Sequence, residues 1–280
     1  MSTKVAVAQM TSTSNTDANF STIQQLTKQA KQQDCSMIFF PENFNFLGHH
    51  FTESLNIAQP LDGAFVQRYR QLARDVGIWM SLGGFQEQGP DPDHLYNTHI
   101  IVDSSGGVQA TYRKIHLFDV DVPNGPVLME SRFTSPGHGL SVCDKTPVGR
   151  IGLTVCYDLR FPEVYQRLVF DHGAEVLLVP SAFTVETGKA HWEVLLRARA
   201  IETQTYVIAA AQAGRHNEKR VSYGHSLIVD PWGEVVGRLS NGEETGIAVA
   251  DIDFERLGQI RKTMPIDIHR GKGLKHLKTN

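Results

Sequence analysis

The stretch Arg150 to Glu163, RIGLTVCYDLRFPE, puts a thiol at a place where it can do chemistry. Ile151 to Val155 is a short apolar run rich in β-branched residues, which predicts a buried strand ending at Cys156. Pro162 and Glu163 predict the first turn of a helix running to His172, since proline has no N–H to lose there and an acid suits the positive helix end. A side chain on such a turn is lifted out of the sheet, with backbone N–H groups beside it. Cys156 can then act as a nucleophile, and the N–H of Tyr157 can help hold an oxyanion. The same cysteine also fits a plain role as a small buried hydrophobe. Two further strand ends carry candidate groups. Glu42 follows Met37–Phe40 and can serve as a base if burial raises its pKa. Lys114 follows Val108–Tyr112 and offers a fixed positive charge to an oxyanion, while lowering the pKa of a nearby thiol. Residue types alone leave Glu42 and Lys114 equally readable as ordinary surface charges.

The elements that must position these groups alternate. Lys4–Gln9 reads as a strand. Asn19–Lys31 reads as an amphipathic helix, with Phe20, Ile23, Leu26 and Ala30 on one face. Met37–Phe40 is a second strand. His49–Gln59 reads as irregular, and the Phe44, Phe46 and Leu47 cluster fits either core filling or a pocket wall. Phe65–Val76 is predicted helical. Ile78–Phe85 is a strand ending in Gly83-Gly84, and Gly89–Asp93 reads as a turn. Tyr96–Val102 and Val108–Tyr112 form a hairpin around Ser104 to Gly107. A long loop, Phe118–Gly139, contains Glu130; loops of this length are usually functional. Glu175–Pro180 is a strand, Ser181–Thr187 a loop and His191–Thr203 a helix. Tyr206–Ala211, Ser226–Val229 and Ile247–Ile252 complete the strands, and Phe254–Lys262 a short final helix. This order predicts an α/β layered sandwich in a single domain spanning residues 1–280, with its core at about 4–270.

Composition narrows the function classes. A content of 41% hydrophobic and 20% charged residues suits a globular enzyme. A net charge of −3 argues against a nucleic-acid binder that relies on a basic field. Three widely spaced cysteines, Cys35, Cys143 and Cys156, form neither a disulfide framework nor a CxxC metal site, and a reducing, cytoplasmic compartment is expected. No apolar stretch approaches the roughly 20 residues of a membrane span. The histidines show no metal-binding spacing and the glycine pairs no phosphate-loop pattern, so neither metal nor nucleotide cofactor is expected. His116, two residues from Lys114, admits a Cys–His pairing with Cys156, although a hydrogen-bonded structural role is the commoner one.

The segments AVAQM (6–10), FFPEN (39–43), YRKIHLF (112–118), GLTVCYDLRFPE (152–163) and HWEVLLRARAIETQTYV (191–207) resemble, in order and spacing, the nitrilase superfamily of carbon–nitrogen hydrolases. The resemblance runs from about Lys4 to Arg270. It implies a four-layer αββα sandwich that pairs as a homodimer. It also implies a catalytic Glu–Lys–Cys set at Glu42, Lys114 and Cys156, with Glu130 as a second glutamate that positions substrate and lysine. The segments PSAF (180–183), AAAQAGRH (209–216), EKR (218–220) and SYGHSLIVDPWG (222–233) are similar to the Nit branch, whose members are fused to, or act beside, the nucleotide hydrolase Fhit. The implied reaction is hydrolysis of a 2-oxo amide: deaminated glutathione to 2-oxoglutarate and cysteinylglycine, or, as in a sister branch, 2-oxoglutaramate to 2-oxoglutarate and ammonia. No Fhit-like segment is evident, so such a partner would be a separate chain. A 2-oxo carboxylate needs a cation, for which Arg160 is placed, although Arg160 equally suits an ion pair near the helix start. Phe183 and Thr184 are expected to line the same pocket. A non-catalytic scaffold, or a nitrilase or carbamoylase on the same fold, are the competing expectations.

Overall fold

A strand buried on both faces carries apolar residues at successive positions, and each face meets a different core. In β1 (Ser2–Met10), Val5 and Val7 point into one core while Ala6, Ala8 and Met10 point into another. β2 (Met37–Phe40) divides the same way, with Met37 and Phe39 opposite Ile38 and Phe40. The computed structural model describes residues 2–121 and 127–274, in which this alternation organises two sheets. The first sheet continues through β3 (Trp79–Asp91), β4 (His94–Val102) and β5 (Val108–Arg113). A small ribbon, β6 (Asp119–Asp121) with β7 (Val127–Met129), stands apart. The second sheet takes β8 (Ser141–Thr146), β9 (Gly149–Leu153), β10 (Val176–Leu178) and β11 (Tyr206–Ala209). The chain crosses back at Ala210 to place β12 (Ala211–Arg215) and β13 (Val221–Tyr223) on the first sheet. β14 (Leu227–Val229) and β15 (Val235–Arg238) extend the second sheet, and β16 (Gly246–Asp253) pairs antiparallel along β1.

The helices are α1 (Thr16–Gln32), α2 (Phe51–Ile57), α3 (Ala64–Val76), α4 (Pro162–Phe170), α5 (Val185–Thr203), α6 (Phe254–Thr263) and α7 (Ile266–Leu274). Three apolar clusters define the layers. Val5, Phe39, Ile151, Leu153, Val176 and Ile208 fill the space between the sheets. Ile23, Leu26, Tyr69 and Leu72 of α1 and α3 cover the first sheet. Tyr165, Leu168, Trp192 and Leu196 of α4 and α5 cover the second. The result is the expected four-layer αββα sandwich. Phe44 and Phe46 are buried core residues, Phe44 packing edge-on to Tyr69 at 5.1 Å. None of the described helices is long and apolar enough to cross a membrane.

Several sequence expectations are corrected. Helix α2 lies where irregular chain is expected; none of its residues is buried, so it has no apolar stripe to read. Strand β3 does not stop at Gly83-Gly84 but runs on to Asp91, through a register shift between Leu82 and Phe85. Gly84 is needed in that bulge: its φ is +73°, and a Cβ would meet Glu42 Cγ at 2.7 Å and Asn97 Oδ1 at 2.8 Å. Helix α5 begins at Val185, six residues before the expected start, because Gly188 and the threonines before it read as loop. Gly188 has a packing reason to be there: any Cβ would strike the Tyr223 side chain. The run Tyr206–Ala211 is two strands in two sheets, and β8, β13 and β15 carry too little apolar periodicity to be recognised. The long loop Phe118–Gly139 contains β6, β7 and a 3-10 turn at Glu130–Arg132, while its residues 122–126 lie outside the described residues.

Polar side chains join the layers next to the strand ends. His99 on β4 is fully buried; its Nδ1 donates to the Thr154 carbonyl at 3.0 Å and its Nε2 accepts from Ser81 Oγ at 2.7 Å. His216 is arranged alike, Nδ1 to Ser12 O at 2.7 Å and Nε2 facing Ser222 Oγ at 2.8 Å. Burial lowers each histidine to about 4, more than their carbonyl hydrogen bonds raise them. Both are therefore neutral in the fold yet protonate near 6.5 once unfolded. The unfolded chain holds the extra protons between those values, so stability falls as pH drops through that window. Urea unfolding followed from pH 7 to 5 is expected to lose up to about 1.4 kcal/mol per pH unit for each histidine. His99→Gln should remove one share of that slope; an unchanged slope would mean that His99 is not held neutral.

Candidate active site

The three candidate groups arrive from three strand ends. Glu42 follows β2 of the first sheet, while Cys156 and Ser181-Ala182 follow the parallel strands β9 and β10 of the second. Lys114 follows β5, held there by its N–H to Asn97 O at 2.9 Å. The Lys114 ammonium is buried between two carboxylates, 3.1 Å from Glu42 Oε1 and 2.9 Å from Glu130 Oε2. Glu130 is presented by its 3-10 turn and accepts the Phe118 N–H at 2.7 Å. Cys156 sits in the left-handed region, φ +47°, with its N–H on Pro180 O at 2.9 Å. That strained turn, the first residue of a 3-10 segment Cys156–Arg160, aims the half-buried thiol at Glu42, Lys114 and the Ala182 N–H.

Neutral donors complete the cluster, and the sequence reading missed them. Asn97 Nδ2 donates to Glu42 Oε1 at 2.9 Å and to Glu130 Oε1 at 3.4 Å, bridging the two acids. Ala182 N–H donates to Glu42 Oε2 at 3.1 Å. Gln212 Nε2 holds the Glu42 carbonyl at 3.0 Å. Asn97 sits in a polar run, Asn97-Thr98-His99, within β4, so nothing local sets it apart, and a backbone N–H leaves no trace in sequence.

The electrostatic balance reverses two expectations. Burial pushes the Glu42 carboxyl up, but Lys114 and the hydrogen bonds from Cys156 and Asn97 outweigh it, so the group stays below its ordinary value. Burial disfavours the Lys114 ammonium, yet Glu130 and Glu42 hold its proton well above the usual lysine range. Burial and then the Glu42 charge push the Cys156 thiol up, further than Lys114 and the Ala182 N–H pull it down. Lys114 is shared by two carboxylates and has little attraction left for a thiolate. The resting site is carboxylate, ammonium and neutral thiol.

Asp158 fixes the Cys156 turn. It is fully buried, and its Oδ2 accepts from Tyr112 OH at 2.7 Å and Val155 N–H at 2.9 Å. Its Oδ1 accepts from His116 N–H at 3.1 Å and faces His116 Nδ1 at 2.8 Å. Tyr112 and His116 stand two residues either side of Lys114, so one carboxylate ties the thiol's turn to the lysine's. His116 is stacked on Phe161 at 3.6 Å and committed to Asp158, which is the structural role rather than that of a base for Cys156.

The remaining expected residues follow Cys156 and Ala182 along the chain. Tyr157 is half-buried, its ring edge-on to Phe118 at 5.0 Å, and its N–H meets no acceptor among the described residues. Arg160 does not form the ion pair considered for it. Its guanidinium lies 5.8 Å from the Tyr157 and Phe183 ring centres and 3.3 Å from His191 Nδ1, with no carboxylate partner among the described residues. Phe183 packs on Trp192 at 4.9 Å beneath it. The Thr184 hydroxyl turns to Thr187 Oγ1 at 2.8 Å.

A family model described as carbon–nitrogen hydrolase matches residues 4–262. The chain belongs to the carbon–nitrogen hydrolase family. It is 51% identical over 269 residues to the Homo sapiens protein named deaminated glutathione amidase, spanning 95% of this chain and 81% of that one. The solved structure of the Caenorhabditis elegans NitFhit protein superposes with a TM-score of 0.91 at 45% identity, covering 98% of this chain and 66% of the fusion. Nit3 of Saccharomyces cerevisiae, a member of branch 10 of the nitrilase superfamily, superposes at 0.83 with 32% identity and 94% of each chain. The protein is thus a hydrolase acting on carbon–nitrogen bonds, of the nitrilase superfamily.

Tyr112→Phe removes one donor from the buried Asp158 carboxylate and is expected to cost about 1.5–3 kcal/mol in urea unfolding. In this carbon–nitrogen hydrolase it should also lower kcat with little change in KM, since it loosens Lys114 against Cys156 rather than the approach. A KM effect alone would contradict that placement.

Proposed function

We propose that this single-domain hydrolase cleaves the amide bond of deaminated glutathione, releasing 2-oxoglutarate and cysteinylglycine. The observation that carries the reading is a buried Glu42–Lys114–Glu130 cluster facing Cys156, in a chain half identical to a protein named for that activity. A cationic rim at Arg160 supports a 2-oxo carboxylate on the acyl side, with Phe183 and Thr184 beside it.

Glu42, kept ionised, takes the proton of the neutral Cys156 thiol as the sulfur attacks the amide carbon. The carbonyl oxygen becomes an oxyanion, held by the Lys114 ammonium and the free Tyr157 N–H. Glu42 then gives its proton to the departing nitrogen, the C–N bond breaks and a Cys156 thioester remains. Water attacks the thioester with Glu42 again accepting the proton, and the thiol leaves with it. Glu130 holds Lys114 in place throughout. The protein is read as a cytoplasmic homodimer; exposed Val194 and Ile201 on α5, with Gly233 packed against Ile201, support a pairing surface. A Fhit-like protein is the partner class suggested by the fusion relatives.

The deciding assay is 2-oxoglutarate release from deaminated glutathione and from 2-oxoglutaramate. Deaminated glutathione should be turned over much faster, and Cys156→Ala or Glu42→Gln should lose on the order of a thousandfold or more. Preference for 2-oxoglutaramate would reassign the substrate and leave the cluster's chemistry standing. Because Glu42 is held below its ordinary value while the thiol is held up, kcat/KM should be flat from pH 9 to 5 and fall only as Glu42 protonates below that. A rise tracking thiol ionisation near 8–9 would argue for a preformed thiolate instead.

A further inference from the structure

We infer that Arg220 is a second carboxylate-binding residue of this site, taking the C-terminal carboxylate of the leaving dipeptide; the inference rests on reading deaminated glutathione as the substrate. Arg220 lies in the connection between β12 and β13. Its position is fixed at the backbone: Asn217 Oδ1 accepts the N–H groups of Lys219 and Arg220 at 2.9 Å each, and Asn217 Nδ2 is anchored on Gly48 O at 3.1 Å. From there its Nη2 donates to Ala182 O at 2.6 Å. Ala182 is the residue whose N–H lies on Glu42 Oε2, so the guanidinium stands one residue from the carboxylate proposed as the base.

The remaining donors of Arg220 are uncommitted. Its Nε and Nη1 reach no acceptor, and it forms no ion pair, among the described residues. Arg113, Arg199 and Arg256 show the alternative, each paired with a carboxylate: Glu87, Glu202 and Asp230. A half-buried guanidinium with free donors at a reactive site matches a carboxylate supplied by the ligand. Arg160 meets the same description and lies over the ring of the adjacent residue, Phe183, 5.8 Å from its centre. Two unpaired arginines from different parts of the chain therefore reach Ala182 and Phe183.

Deaminated glutathione carries two carboxylates, one on each side of the scissile amide. The 2-oxo acid carboxylate belongs to the acyl half, for which Arg160 is proposed. The glycine carboxylate lies two residues beyond the amide, roughly 7 Å along an extended chain. 2-Oxoglutaramate has no second carboxylate, and its leaving group is ammonia. A cation reading the leaving group thus favours the dipeptide substrate and does nothing for the smaller amide, which makes Arg220 a specificity-determining residue.

The test compares deaminated glutathione with its C-terminal glycinamide, which removes only that charge. In the wild type, amidation should lower kcat/KM about ten- to hundredfold, mainly through KM. In Arg220→Gln the ratio between the two substrates should collapse towards one, whatever the variant does to both rates through its lost bond to Ala182. Arg220→Lys, which keeps the charge but not the fork, should retain part of the ratio, and it carries the test if the glutamine variant does not fold. A wild-type ratio near one, or a ratio that survives in Arg220→Gln, overturns the inference while leaving the substrate reading intact. Failure of the wild type to turn over deaminated glutathione at all overturns the substrate reading itself, and the inference with it.

Discussion

A single buried ammonium between two carboxylates sets the terms for the rest of this site. Taking three charged groups out of water costs several kcal/mol each, and mutual attraction repays it only with close geometry and satisfied oxygens. Lys114 meets Glu42 and Glu130 at about 3 Å, and Asn97, Ala182 N–H and Phe118 N–H supply the neutral donors that the acids still require. These come from β4, from the segment after β10 and from the loop that carries Glu130. The ends of both sheets must therefore meet at one point, and the bulge at Gly84 leaves room for Glu42 and Asn97 where they do.

The inter-sheet core cannot secure this meeting by itself. Apolar packing is non-directional, and the sheets would tolerate a small slide at modest loss. Directional bonds at the site edge remove that freedom. His99 takes the Thr154 carbonyl, Asp158 takes the Val155 N–H and both flanks of Lys114, and Gln212 takes the Glu42 carbonyl. Each is buried, so leaving it unpaired would cost about 1–3 kcal/mol, while pairing it selects one relative placement of thiol and lysine. The strained turn at Cys156 is held from both sides by these bonds.

The sequence was most readable where periodicity and turn chemistry agree. The βαβ opening through β1, α1 and β2, the strand ending near Cys156 and the proline-led helix α4 all appear from local pattern. The fold family and the four grouped residues Glu42, Lys114, Glu130 and Cys156 are legible only through motif resemblance, since an isolated glutamate or lysine at a strand end is indistinguishable from a surface charge. What stayed hidden was set by tertiary contact. Gly188 and its threonines read as loop until Tyr223 is seen against them, and α2 has no buried face to announce it. The direction of the Glu42 and Cys156 shifts is hidden for a related reason: a lysine beside the thiol predicts a lowered thiol, whereas two carboxylates share that lysine.

That charge count bears on the approach to the site as well as its centre. Two acids and one ammonium leave the interior with a net negative charge before any substrate arrives. An anionic 2-oxo amide approaching the site would be repelled by it, at a cost that grows as water leaves. The compensation has to come from cations close enough to act but not already neutralised. Arg160, lying over the Phe183 and Tyr157 rings, and Arg220, which donates to a carbonyl, have no carboxylate partner among the described residues and meet both conditions. A paired arginine at either position would add structure and subtract that field. The buried centre, suited to amides in general, and the unpaired rim, suited to carboxylate-bearing ones, are thus two halves of one electrostatic balance.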